Sequence, residues 1–267
     1  MAFVETPTGN LCYEICDLTP PWLEDPQTII FHHGVAGHPA MWTGWLGVLA
    51  AKYRLVRFDM RGHGRSAVPE RGYQWSFDGL VDDVLRIAHA AGARRFHLVG
   101  ESIGGTIGIA LALAHPERLH SLTLSNASPV GGLLGNVNVW REMVRTGTQK
   151  KWAAQMMRWR FHNNAIDDAA YDWYREIHEN GSMDVCLDLA DLLLGADFTA
   201  DLKRIEAPTL LLSPDDSPFI PAAIMHNMHD SIPVSEVQVF AHSRHGLPFS
   251  HGEACARVLA DFLARLT

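Results

Sequence analysis

The stretch VGESIGG, residues 99–105, constrains the fold of this chain more than any other feature, because it joins a short apolar run to a long one. The preceding letters, FHLV, are typical of a buried strand, and the following run is long enough for a helix that ends before a proline. A strand that turns sharply into a helix leaves little room at the turn, so its flanking residues must be small. Gly100 and Gly104 meet this requirement around Ser102.

Such a turn predicts a serine whose hydroxyl stands clear of the sheet. The helix that follows directs the amide groups of its first turn toward whatever the serine attacks. An ordinary glycine-rich turn between a strand and a helix can have the same sequence pattern. The assignment of Ser102 as a nucleophile therefore depends on whether the chain supplies catalytic partners for it. A serine hydroxyl is a weak nucleophile at neutral pH, and it needs a base and a third group that orients the base.

Short apolar strands alternate with helical segments over much of the chain. Residues 28–31, 54–58, 96–99, 121–124, 209–212 and 237–240 are strand-like, and residues 3–17 are typical of a hairpin with its turn at residues 8–10. Residues 76–91 carry apolar side chains at helical spacing, with Ser76 as a candidate N-cap. The pattern predicts an α/β fold with a mostly parallel, eight-stranded sheet flanked by helices.

Residues 131–199 break this rhythm, since they contain no convincing strand and several helical segments. We predict a core formed by residues 1–130 and 200–267, with residues 131–199 inserted as a helical cap. The cap is rich in large side chains, which include Trp140, Met143, Trp152, Met156, Met157, Trp159, Phe161, Tyr171, Trp173 and Tyr174. Most of them are expected to pack inside the cap, and some are expected to face Ser102.

Composition excludes several classes of function. The formal net charge of -8 and the lack of a basic run argue against nucleic acid as a partner. No apolar stretch is long enough to cross a bilayer, and the first residues do not read as an export signal, so we expect a cytoplasmic protein. The four cysteines are scattered, and neither they nor the 15 histidines have metal-ligand spacing, so no metal or cofactor is expected. No sequence pattern indicates the oligomeric state, and a homodimer is one alternative.

Four segments resemble the α/β-hydrolase family along nearly the whole chain: GESIGG, HHGVAG after an early strand, FDMRGHGRS after the next, and HSRHGLP before a final amphipathic helix. The last segment resembles the family's histidine loop, in which the catalytic histidine precedes a small residue and a proline. The resemblance therefore implies His245 as the base, with His242 and His251 as the other candidates. It also implies that the amides of Val35 and Ile103 form the oxyanion hole.

The acid of the triad is where the chain departs from the family pattern. Counted back from Pro221 and from His245, the family position falls on Ser217. The neighbouring carboxylates come earlier, and we favour Asp216 as the acid, with Asp215 as the alternative. Another position used by related hydrolases, after the strand that follows the elbow helix, holds Asn126 here. A solvated turn at the two aspartates would leave His245 with a neutral partner.

A serine at the elbow points to hydrolysis of an ester, lactone, thioester, amide or carbon-carbon bond, without a cofactor. The motifs are similar to those of carboxylesterases, enol-lactonases and meta-cleavage-product hydrolases. We expect a carboxylesterase or lactonase that acts through an acyl-enzyme on a small hydrophobic or aromatic substrate. The alternatives are a carbon-carbon bond hydrolase of the meta-cleavage type and a non-catalytic ligand-binding protein of the same fold.

Overall fold

A single sheet of eight strands forms the centre of the computed structural model, which describes residues 1–266. The strands are β1 (Ala2–Val4), β2 (Leu11–Cys16), β3 (Thr28–His32), β4 (Arg54–Phe58), β5 (Phe96–Glu101), β6 (Leu119–Ser125), β7 (Thr209–Pro214) and β8 (Ser235–Phe240). Their order is β1-β2-β4-β3-β5-β6-β7-β8. The strands from β4 to β8 pair in parallel, whereas β2 pairs antiparallel with both β1 and β4. The predicted mostly parallel sheet is thus confirmed.

Helices cover both faces of this sheet. They are α1 (Thr43–Leu49), α2 (Phe77–Ala90), α3 (Ile103–Ala114), α4 (Val137–Thr146), α5 (Gln149–Arg160), α6 (Asp168–Asn180), α7 (Met183–Leu194), α8 (Ala222–Ser231), α9 (Leu247–Ser250) and α10 (Gly252–Ala264). Ser76 is the N-cap of α2, as predicted, because its hydroxyl accepts a hydrogen bond from the amide of Gly79 at 3.1 Å. Within residues 1–266, none of the helices combines the length and apolarity needed to cross a bilayer.

Alternate side chains of the central strands supply two cores. Leu98 of β5 lies in the cluster that packs under α2 and α3, together with Val84 and Ile107. Its neighbour Val99 lies in the opposite cluster, which packs under α1 and α10. Both faces of the central strands are therefore buried, which explains why these strands read as uninterrupted apolar runs in the sequence.

Four helices, α4 to α7, lie between β6 and β7 in the chain. At the base of this segment two stretches of chain run side by side: Val130 forms an antiparallel bridge with Asp197, and the amide of Phe198 donates to the carbonyl of Pro129 at 2.8 Å. The predicted cap boundaries, 131 and 199, lie beside this pairing. That the segment works as a separate cap stays a prediction.

The carboxyl ends of the parallel strands meet at one edge of the sheet. β5 ends at Glu101, next to Ser102, and β6 ends next to Asn126. The loops after β7 and β8 carry Ser217 and His245 to the same edge. Sheets of this type hold their ligands at that edge.

Candidate active site

Ser102 occupies a strained turn between β5 and α3. Its φ of 56° and ψ of -123° lie in a region of backbone conformation that residues other than glycine rarely adopt. A β-carbon at Gly104 would lie 2.6 Å from the carbonyl oxygen of His32, and one at Gly100 would collide with the carbonyl of Gly104. The two glycines therefore permit the turn, for the steric reason that the sequence indicated.

Two amides that the resemblance implied for an oxyanion hole lie at the same cavity as Ser102, those of Val35 and Ile103. The amide that follows Val35 is already bound, since Ala36 donates to His63 Nε2 at 2.9 Å. In the part of the chain that is described, residues 1–266, neither the Val35 nor the Ile103 amide donates to a protein acceptor. Both are free to bind a developing oxyanion.

His33 and His63 hold the loop that carries Val35. His63 Nε2 accepts the Ala36 amide, and His33 Nε2 accepts the amide of Met60 at 3.0 Å. An acceptor nitrogen must be unprotonated, so both imidazoles are neutral in the folded protein. Burial lowers the pKa of His63 to about 4 and that of His33 well below its ordinary value. These two histidines brace the loop.

We expect the folded protein to lose stability as the pH falls from 6.5 toward 4. The unfolded chain binds a proton at His63 below pH 6.5, whereas the folded chain does not bind one until about pH 4, so this contribution to the free energy of unfolding is present above 6.5 and lost on acidification. At pH 5 the loss from this residue is about 2 kcal/mol. Urea unfolding at pH 7 and pH 5 measures it.

His63→Gln is the matched control, because the amide oxygen of glutamine can accept the Ala36 amide without titrating. Between pH 7 and pH 5 this variant is expected to lose about 2 kcal/mol less stability than the wild type. The same pH dependence in both proteins would show that His63 is not held neutral by the fold.

His245 lies at the cavity that contains Ser102 and is buried. Its carbonyl oxygen accepts from Asn126 Nδ2 at 2.9 Å, and the amide of the next residue, Gly246, donates to the Arg160 carbonyl at 2.9 Å. His242 lies exposed on the loop, and His251 contacts Ser250 instead of the cavity. Of the three candidate histidines, His245 is therefore the one brought to Ser102.

The structure places Ser217, not Asp216, against His245. Ser217 Oγ lies 3.2 Å from His245 Nδ1, whereas the Asp216 carboxylate accepts from Arg244 Nε at 2.9 Å. β7 ends at Pro214 and the following residues form bends, in which the Asp216 side chain is 54% exposed while Ser217 faces His245. The alternative, Asp215, accepts the amides of His242 and Ser243. The predicted contact between Asp216 and His245 is corrected to one with a neutral hydroxyl.

A hydroxyl at Nδ1 fixes the imidazole less firmly than a carboxylate does. Ser217 Oγ accepts the amide of Ile220 at 3.2 Å, which leaves it able either to donate to Nδ1 or to accept from it. Only the second arrangement leaves Nε2 unprotonated for the role of base. Across residues 1–266, no hydrogen bond joins Ser102 Oγ to His245 Nε2, and such contacts are often long before a substrate binds.

Replacing Asp216 by asparagine is expected to change kcat/KM less than about fivefold, because an exposed ion pair contributes about 0–1 kcal/mol. The Asp216 side chain is 54% exposed and contacts Arg244 and His162. Kinetics of Asp216→Asn on any ester that the wild type hydrolyses measure the change. A loss of several orders of magnitude would instead show that the loop rearranges to bring Asp216 to His245.

A partly open cavity lies between Ser102, His245 and the helical segment. Its walls are mainly apolar and include Leu134, Trp140, Met156, Leu193, Phe219 and Ile220. Two of the large side chains predicted from residues 131–199 thus face the serine, whereas others, such as Trp152 and Tyr174, are buried away from it. Within residues 1–266, no group of three or more histidine, cysteine or acidic side chains is placed to hold a metal ion.

One charged side chain lines this cavity, Arg160 at the end of α5. It is buried, and its Nη1 donates to the buried carboxylate of Glu101 at 3.0 Å. Sequence reasoning missed Glu101 and Arg160, and it named Asn126 only as a position that lacks a carboxylate. Glu101 stands inside the quoted GESIGG motif, but nothing in the motif indicates that a side chain from α5 neutralises it.

Comparison with known proteins agrees with this architecture. The sequence pattern of the alpha/beta hydrolase fold matches residues 27–149. A curated relative named "Putative carbamate hydrolase RutD", from Caulobacter sp. (strain K31), is 29% identical over 251 residues, which cover 90% of this chain and 91% of the relative. This chain has the α/β-hydrolase fold.

Two solved structures show how closely this fold is shared. The enol-lactonase from Burkholderia xenovorans LB400 superposes with a TM-score of 0.88 at 21% identity and covers 98% of this chain and 100% of its own. A hydrolase from Pseudomonas aeruginosa PA01 has a TM-score of 0.87 at 24% identity and covers 98% and 97%. At this level of identity the likeness establishes the fold, and the substrate has to be argued from the cavity.

Proposed function

We propose that this α/β-hydrolase cleaves a small ester or lactone, with an apolar or aromatic acyl or alcohol part, through an acyl-enzyme on Ser102. The observation that carries the proposal is the convergence of four groups on one apolar cavity: Ser102, His245 and the free amides of Val35 and Ile103. This is the set of groups that acyl transfer requires.

In this mechanism His245 Nε2 takes the hydroxyl proton while Ser102 Oγ attacks the substrate carbonyl. The Val35 and Ile103 amides bind the oxyanion that forms. The imidazolium then donates its proton to the leaving alkoxide, and water activated by His245 releases the acyl group. Throughout, Nδ1-H of His245 donates to Ser217 Oγ, which supplies orientation without a full counter-charge.

The substrate is best matched by a neutral, mainly apolar molecule. The charge of Arg160 is compensated by Glu101, so the cavity offers no free cation to a carboxylate. Its volume is small, about 40 Å³, which favours a compact substrate. These two properties favour simple esters and lactones over substrates that carry a negative charge near the reacting carbonyl.

A panel of substrates tests the proposal: 4-nitrophenyl esters of increasing acyl length, simple lactones, an aryl carbamate and a ring-cleavage product followed by its visible absorbance. The expected result is hydrolysis of short esters or lactones by the wild type and its loss in Ser102→Ala. Turnover of the ring-cleavage product in preference to esters would favour carbon-carbon bond hydrolysis. A folded protein with no turnover and no reaction with a fluorophosphonate would favour a ligand-binding role and overturn the proposal.

Carbamate hydrolysis is the second candidate, because the RutD relatives carry that activity in their name. The same nucleophile and oxyanion hole would serve a carbamate carbonyl. The aryl carbamate of the panel distinguishes the two, since an ester hydrolase is expected to release phenol from it much more slowly than from the ester with the same alcohol.

We expect this enzyme to prefer 4-nitrophenyl butyrate over mono(4-nitrophenyl) succinate, which has nearly the same shape but ends in a carboxylate. Burial of that carboxylate without a free cation is costly, so kcat/KM should fall at least about 100-fold. The ratio of the two initial rates measures the preference. Equal rates would contradict the assignment of an uncharged substrate site.

A further inference from the structure

Glu101 and Arg160 form a buried ion pair at the point where the helical segment meets the elbow. Glu101 is the last residue of β5, immediately before Ser102, and Arg160 is the last residue of α5. Their side chains are 0% and 2% exposed, and Arg160 Nη1 lies 3.0 Å from Glu101 Oε1. A buried ion pair is weak evidence of stabilisation alone, so its position invites a functional explanation.

The pair contacts every part of the candidate site. Arg160 Nη2 donates to the Val35 carbonyl at 3.1 Å, and the Arg160 carbonyl accepts from the amide of Gly246, beside His245. Glu101 Oε2 lies against Gly34, where an added β-carbon would collide with it. The oxyanion loop, the nucleophile and the histidine loop are thus all tied to these two residues.

His245 has few charged neighbours, and they lie on one side. Its Nε2 lies 3.7 Å from Glu101 Oε1, the same oxygen that accepts from Arg160. On the Nδ1 side stands the neutral Ser217, and Phe219 contacts the ring at a centroid distance of 4.8 Å. The remaining charged groups on its own loop and the β7 loop, Arg244 and Asp216, pair with each other near the surface, where Asp216 also meets His162.

We propose that the Glu101–Arg160 ion pair controls the protonation of His245 from its Nε2 side, in place of the carboxylate that is missing at Nδ1. Glu101 and Arg160 are then positioning residues for the reaction of Ser102. This inference rests on the proposed function, in which His245 is the base. The pair presents its negative end to Nε2, which stabilises the imidazolium as it forms.

Neither partner would serve alone. An isolated carboxylate at 3.7 Å would favour a permanent imidazolium, which cannot accept the serine proton, and an isolated guanidinium would oppose the imidazolium in the transition state. Together they leave His245 neutral at rest. In agreement, burial and then the charge of Arg160 hold the pKa of His245 well below its ordinary value.

Single substitutions of the pair are expected to act in opposite directions. Arg160→Gln leaves Glu101 uncompensated, so the midpoint of His245 protonation should rise and the rate of fluorophosphonate labelling at pH 6 should fall at least about tenfold relative to pH 8. Glu101→Gln leaves Arg160 uncompensated, so the midpoint should fall, and labelling should slow at least about tenfold at all pH values.

The protonation of His245 is measured by NMR on protein that contains ¹⁵N-histidine, and the His245→Gln variant assigns the resonance. The rate of fluorophosphonate labelling is measured by intact mass. The double variant, Glu101→Gln with Arg160→Gln, removes both charges and should return the midpoint toward that of the wild type. Arg244→Gln is the matched control, since this arginine also lies beside His245 but pairs outward with Asp216. It should leave the midpoint unchanged.

Shifts of opposite sign support the inference, because loss of packing alone would move both variants the same way. Equal midpoints in the two single variants, or shifts in one direction, would overturn it. The NMR titration needs no turnover, so it reads the ion pair even if the proposed hydrolysis fails. If the protein shows neither turnover nor fluorophosphonate labelling but the NMR shifts are opposite, the proposed function is rejected. The control of His245 protonation by the ion pair then still stands.

Discussion

Ser102→Ala is expected to lose covalent labelling by a fluorophosphonate completely and to lower kcat/KM on esters at least about 10³-fold. The strained turn presents one hydroxyl beside two free amides, and alanine removes only that hydroxyl. Intact mass before and after exposure to the probe gives the first measurement. One adduct on the wild type, absent in the variant, is the expected outcome.

Ser128→Ala is the matched control for that experiment. Ser128 lines the same cavity, but its hydroxyl donates to the Val130 carbonyl at 2.8 Å and no base faces it. This variant should keep the adduct. Labelling that survives in Ser102→Ala and disappears in Ser128→Ala would contradict the assignment of the nucleophile.

Ser217→Asp is expected to raise kcat/KM by about 10²- to 10⁴-fold, the reverse of the loss that follows when a triad carboxylate is made neutral. Ser217 Oγ lies 3.2 Å from His245 Nδ1, and the longer aspartate side chain places an oxygen at the same nitrogen. The new carboxylate would fix the tautomer with the proton on Nδ1 and stabilise the imidazolium. It can also accept the Ile220 amide that Ser217 binds now.

Ser217→Asn separates charge from shape, because asparagine has the size of aspartate without its charge. No gain is expected from it, and only a small loss is expected from Ser217→Ala. Rates for all three variants should be compared with their thermal unfolding midpoints, so that a misfolded protein is recognised. A folded Ser217→Asp enzyme that is no faster than the wild type would show that Ser217 does not occupy the place of a triad acid.

The elbow illustrates what local sequence encodes. Gly100 and Gly104 were required by steric crowding within a few residues of Ser102, and the structure shows that crowding. The same holds for Ser76, whose capping hydrogen bond spans three residues. Apolar runs predicted the buried strands for a similar reason. A strand that is buried on both faces has apolar residues throughout instead of alternating apolar and polar residues.

The acid position shows where sequence reasoning failed. The prediction placed the acid one residue before the expected position, but the residues after β7 form bends that expose the Asp216 side chain. The Asp216 carboxylate binds Arg244, and the Ser217 hydroxyl contacts His245. Spacing counted from His245 indicates Ser217, the residue that contacts His245 in the structure, whereas the preference for a carboxylate favoured Asp216.

The sequence by itself determined the order of strands and helices, the turn at Ser102 and the identity of the histidine loop, because each depends on local sterics, on periodicity or on a contiguous motif. Only the tertiary structure decided which groups surround His245. Glu101 and Arg160 are 59 residues apart, and their contact exists because α5 folds back over the end of β5. Such a pairing depends on the path of the whole chain, so no local pattern announces it.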